Sequence, residues 1–161
     1  MSAPQPTGQV AVLLDYPLRL WERQQQYSDG VLREFELLVS GEASGVLEHE
    51  PPGQLLALAE MFTRNFGPLL DAIYEEREQA LAQGQDRVDS HIPLVQGAPE
   101  LLEQVAIVLA RVDAYCQSGE LLTLPREPWM VELADWTHEQ LVTQYNGGEP
   151  TPWPGPFHVP A

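Results

Sequence analysis

A chain of 161 residues with 24 acidic and 8 basic side chains, formally −16 at neutral pH, is the size of one ordinary domain and carries the wrong sign to bind nucleic-acid phosphates directly. Apolar residues at 43% and charged residues at 20% match chains that bury a core rather than stay disordered. All the basic residues are arginines, and the absence of lysine excludes Schiff-base, pyridoxal-phosphate and P-loop chemistry.

The one cysteine, Cys116, allows no internal disulfide. The first residues lack the basic segment and long apolar stretch of a secretory leader. No run approaches the roughly 18 apolar residues of a membrane span. Together these predict a soluble cytoplasmic protein with no membrane partner.

Residues 1–9, small and polar with two prolines, read as a flexible terminus. Val10 to Leu14 is a short apolar run that periodicity alone assigns to neither strand nor helix. Pro17 suits the first turn of a helix, with Asp15 or Tyr16 before it as cap. Leu20, Tyr27, Val31 and Leu38 then recur at helical spacing, widened by Trp21, Leu32, Phe35 and Val39, as far as Gly41. Residues 42–50 read as a loop, and Pro51 and Pro52 open a second helix with Leu55, Leu58, Ala59, Phe62 and Phe66 on its apolar face. Gly67-Pro68 predicts a sharp kink or a split, because proline removes one backbone hydrogen bond and crowds the preceding turn. The pattern resumes from Leu69 to Leu81 and stops at Gly84.

Residues 85–97, with Pro93 and Gly97, read as an extended connector. A third helix runs from Pro99 to Gly119, with Glu100 and Glu103 near its start, where the helix dipole favours them. Glu120 to Glu127 carries Leu121, Leu122 and Leu124 and is expected to cross the bundle. Pro128 opens the last helix, with Trp129, Leu133, Trp136, Leu141 and Tyr145 near one face and Asn146, Gly147 and Gly148 ending it. Residues 149–161 hold five prolines and favour polyproline II. The expected fold is all-α: an antiparallel four-helix-bundle-like domain over residues 10–148, with a kinked or split second helix and a proline-rich tail strapped onto the bundle.

Four constellations bear on chemistry. Asp135 and His138, three apart on the last helix, share a face at the spacing of metal ligands in helix bundles, although an exposed polar face has the same pattern. Cys116 stands near a helix C-terminus, where the dipole disfavours a thiolate, and reads as a packed residue. Glu75, Glu76 and Glu78 around Arg77 read as a docking surface for a basic partner or as a solvated helix face. Trp153 and Phe157 in the tail read as a ligand for an aromatic-lined groove or as side chains packed back on the bundle. No phosphate, dinucleotide, hydrolase or zinc motif occurs, so no catalytic residue and no cofactor is expected. The charge has a location: residues 42–120 carry fourteen acids against four arginines, a net −10.

The segments Arg33-Glu34-Phe35-Glu36-Leu37-Leu38, Tyr115-Cys116-Gln117-Ser118-Gly119-Glu120-Leu121-Leu122-Thr123-Leu124-Pro125, Gly147-Gly148-Glu149-Pro150 and Trp153-Pro154 carry a resemblance. The chain resembles, over roughly residues 10–155, a group of small helical actinobacterial proteins encoded near partner-switching regulators: anti-sigma ATPases, their antagonists and matching phosphatases. The resemblance implies a high-GC bacterial source and a regulatory neighbourhood, and no assigned site. The expectation is therefore a non-enzymatic regulatory or adaptor protein that binds a protein partner, a basic one, through an acidic helical surface. The alternative is a bundle that binds a metal or small molecule between its helices.

Overall fold

The computed structural model describes residues 4–40, 52–119 and 121–161. Its elements in chain order are β1 (Pro6–Pro17), α1 (Leu18–Ser40), α2 (Pro52–Ala82), β2 (Arg87–Val95), α3 (Ala98–Gln117) and α4 (Pro128–Tyr145). The loop expected at 42–50 and the helix start at Pro51 lie outside the described residues.

β1 and β2 pair antiparallel across the α1–α2 segment, with Val10 opposite Pro93, Ala11 opposite Ile92, Val12 opposite His91 and Leu13 opposite Ser90. This ribbon corrects the all-α, helical-bundle reading: the protein is mixed α/β. β1 begins at Pro6, and Pro17 is its last residue rather than part of a helix. The run Val10 to Leu14 shows no period of two because it is apolar on both sides, yet only Ala11 and Leu13 are wholly buried. β2 does alternate, with Ser90 and Leu94 buried and Arg87, Asp89, His91 and Pro93 exposed. Its pattern is disguised by a serine at an inward position and by a proline that only an edge strand tolerates.

A bulge interrupts the register, with Leu14 and Asp15 both facing Asp89. Asp15 takes a φ of 54°, a left-handed conformation that Asp accepts more readily than most residues. Its N–H donates to the Asp89 side chain at 3.0 Å.

Side chains cover both edges of the ribbon. On the β1 edge the Gln144 amide of α4 donates to Val12 O at 2.9 Å and accepts from Val12 N–H at 2.8 Å, as a neighbouring strand would. The backbone N–H of Trp153, in the tail, donates to Leu14 O at 3.0 Å. On the β2 edge Glu76 accepts from the His91 N–H at 3.1 Å. Pro93, two residues further on, has no N–H to cover. These devices blunt edges that would otherwise pair with other chains.

α2 runs as one helix through Pro68, which corrects the split reading. Pro68 and Arg64 are both exposed, so the carbonyl that proline leaves without a helical donor faces solvent. The main core joins the ribbon to α4: Ala11, Leu13, Tyr16, Leu18, Leu20, Trp21, Ala80, Leu94, Trp129, Met130, Leu133, Leu141 and Trp153. Two smaller clusters flank it. Val31, Val112, Tyr115, Cys116 and Leu121 tie α1 to α3, and Phe66, Val95 and Ala98 tie α2 to the start of α3.

Candidate functional site

The acidic run on α2 is sorted by helix geometry. Successive residues turn by about 100°, so Asp71, Glu75 and Glu78 fall on one stripe while Arg77 points elsewhere. All three acids are exposed. Arg77 is 6% exposed and turned into the core. Its guanidinium lies 3.9 Å from the Tyr16 ring centroid and 5.5 Å from that of Trp21, and its Nε–H donates to Ser90 Oγ at 3.1 Å. Tyr74, 5.7 Å from Trp21 between ring centroids, closes the same aromatic group, and burial holds its phenol above the usual range. No ion pair joins Arg77 to a carboxylate among the described residues. Aromatic faces and one hydroxyl receive this cation, an arrangement that favours guanidinium over ammonium.

The sequence presents Arg77 as a break in the negative run, and in the folded chain it breaks nothing at the surface. Glu75 accepts from Gln79 one turn on, at 3.3 Å. Glu76 faces the ribbon, with its second oxygen 3.4 Å from His91 Nδ1. Of the three glutamates expected to dock a partner, Glu75 and Glu78 lie on the open face, and Glu76 caps a strand edge.

The two tail aromatics pack inward. Trp153 is 4% exposed, stands edge-on to Trp136 at 5.3 Å between centroids, and donates its indole N–H to Pro156 O at 2.8 Å. Gln140 holds Thr151 by two hydrogen bonds, of 2.7 and 2.9 Å. Phe157 is half-buried beneath the Arg87 guanidinium, 4.0 Å from its ring centroid. Asp135 is exposed and His138 half-buried on α4. Among the described residues no group of three or more His, Cys, Asp or Glu is placed to hold a metal.

Cys116 is buried. Burial raises its thiol above the ordinary range, and the Asp113 and Glu34 charges push the same way, against the Tyr27 hydroxyl. A protonated, buried thiol is a poor nucleophile. Tyr27 is likewise pushed up, first by burial, and donates to Asp113 at 3.3 Å.

From its three leucines, the connector before α4 is expected to pack across the bundle. The fold divides it: Leu121 is buried, Leu122 and Leu124 are 91% and 78% exposed. Glu34 of α1 fastens it, its carboxylate accepting from Leu122 N–H and Thr123 Oγ, both at 2.6 Å. Thr123 Oγ would stand 3.6 Å from a Cβ added at Gly30. At the other end Asp113 takes Arg126 by its backbone N–H at 3.1 Å, by Nε–H at 2.9 Å and by a further nitrogen at 2.8 Å. A carboxylate at position 34 aimed at its own helix's neighbour is the one cue, and one-dimensional patterns do not display it.

Comparison of the chain with protein-family models, with curated proteins and with solved structures returned no match. No helix of the described residues is long and apolar enough to cross a membrane.

Proposed function

We propose that the protein is a non-enzymatic regulatory or adaptor protein that binds a basic protein partner through the exposed face of α2. The observation that carries the reading is the inward turn of Arg77, which leaves Asp71, Glu75 and Glu78 as an outward acidic stripe. A stripe of one sign speeds and orients encounter with a surface of the other sign more than it tightens the complex. The resemblance of the chain to helical proteins from partner-switching neighbourhoods supports a setting in bacterial stress or sigma-factor signalling, inside the cell.

The test uses the full chain as bait in extract of its native cell at low and high ionic strength, beside a Glu75→Gln, Glu78→Gln variant. The expected result is a protein retained by the wild type at low salt, released at high salt, and retained several-fold less by the variant. Equal retention by both chains, or no retained protein at low salt, ends the reading.

A further inference from the structure

The strip between α3 and α4 is built in a way that its packing alone does not require. Four residues of it are held. Leu121 is buried in the α1–α3 cluster; Leu122 N–H and Thr123 Oγ are fastened by Glu34; Arg126 is locked on Asp113, with only 9% of its side chain exposed. Two leucines of the strip nevertheless turn their side chains outward, Leu122 at 91% and Leu124 at 78% exposed. Exposed leucines scattered singly are ordinary. Two on one short segment, alternating with residues fixed to the body, form an apolar knob on a backbone that is tied down at Leu121–Thr123 and at Arg126 before anything binds.

The charge of the surroundings says what fits it. In sequence the strip carries Glu120 and Glu127 against Arg126, and Arg126 is spent on Asp113. Glu127 is exposed and accepts the Trp129 indole N–H. The exposed Glu127 thus puts negative charge three residues from Leu124, on a molecule that is itself −16. A second copy would bring another −16 against it, so like charge opposes self-association at this point.

We propose that Leu122 and Leu124 are apolar anchors that insert into a pocket of a protein partner whose rim is basic. This rests on the adaptor reading and deepens it: the α2 stripe supplies orientation, and the knob supplies the buried contact that sets residence time.

The test has three steps. A photo-crosslinking amino acid at position 124 of the full chain captures the partner in the native cell, and mass spectrometry identifies it. That partner is then purified, and its Kd and rate constants are measured with the wild type, with Leu122→Asp plus Leu124→Asp, and with Glu75→Gln plus Glu78→Gln. The leucine variant is expected to keep the wild-type thermal midpoint and to weaken binding at least about tenfold, mainly through faster dissociation. Leu122→Gln plus Leu124→Gln, which adds no charge, is expected to act in the same direction.

The glutamate variant is expected to slow association and flatten the salt dependence. An unchanged Kd in both leucine variants overturns the knob, as does the absence of any adduct. A wild-type chain that sediments as a concentration-dependent dimer, abolished by the leucine variants, overturns the basic partner in favour of a second copy. Loss of binding in the leucine variants with none of the expected change in the glutamate variant upholds the knob and removes the acidic stripe; the opposite pattern does the reverse.

Discussion

The ribbon with α4 and the junction of α1 with α3 are assembled by different means. In the first, the main core is closed and the strand edges are covered by Gln144, Glu76 and the tail. In the second, a small cluster of Val31, Val112, Tyr115, Cys116 and Leu121 supports a strip that shows two leucines to solvent. A fold that spends side chains on hiding strand edges while leaving leucines outward is managing association selectively: pairing through the sheet is suppressed, and contact through a defined apolar point is left open.

The largest test of that contrast is Trp153→Ala. The side chain is buried at the meeting of tail, bulge and α4, and its loss is expected to cost about 3–5 kcal/mol, as large-to-small aromatic changes do. The thermal midpoint would fall by about 6–20 °C at this chain length. A midpoint within a degree or two of the wild type would mean that the tail is an ornament of the core and not part of it.

Gln144→Ala sharpens the edge argument. Val12 N–H and O lose their partners, at a cost of about 1–2 kcal/mol, and the β1 edge opens. Light scattering is expected to show concentration-dependent self-association absent from the wild type. A monodisperse variant would show that the bulge and tail protect the edge without the amide.

The smallest effect concerns alkaline pH. The pKa values of Tyr27, Tyr74 and Cys116 are all raised in the folded chain, chiefly by burial. The folded state therefore keeps these protons while the unfolded chain begins to lose them, from about pH 8.5 for a thiol and about 10 for a phenol. Stability from these groups is complete below that range and declines as pH rises through it. Urea midpoints at pH 7, 9 and 10.5 are expected to fall in order. Cys116→Ser and Tyr27→Phe, which act at the α1–α3 junction, are expected to flatten the decline. A midpoint that rises with pH contradicts the assignment.

Much of the helical content was legible from one dimension. Pro99 and Gly119 bracket α3, and Pro128 and Asn146 bracket α4, because caps and breakers act within a turn of where they stand in sequence. The ribbon was not. Its strands are separated by about seventy residues, one lacks alternation, and the other is disguised by Ser90 and Pro93. Both exceptions make sense only beside their partners, Ser90 under the Arg77 guanidinium and Pro93 on an outer edge.

The same division holds for the candidate site. Composition by itself determined that the chain is strongly acidic, free of lysine, and most negative over residues 42–120. Charge counts are sums, and sums need no coordinates. Which charges face outward was decided only by the tertiary structure. A residue's side of a helix is fixed by what the helix packs against, so Arg77 vanished into aromatic rings, Glu76 became a strand cap, and Glu75 and Glu78 remained in solvent. Three neighbouring leucines were likewise indistinguishable in sequence until Glu34, nearly ninety residues away, turned one inward and two out.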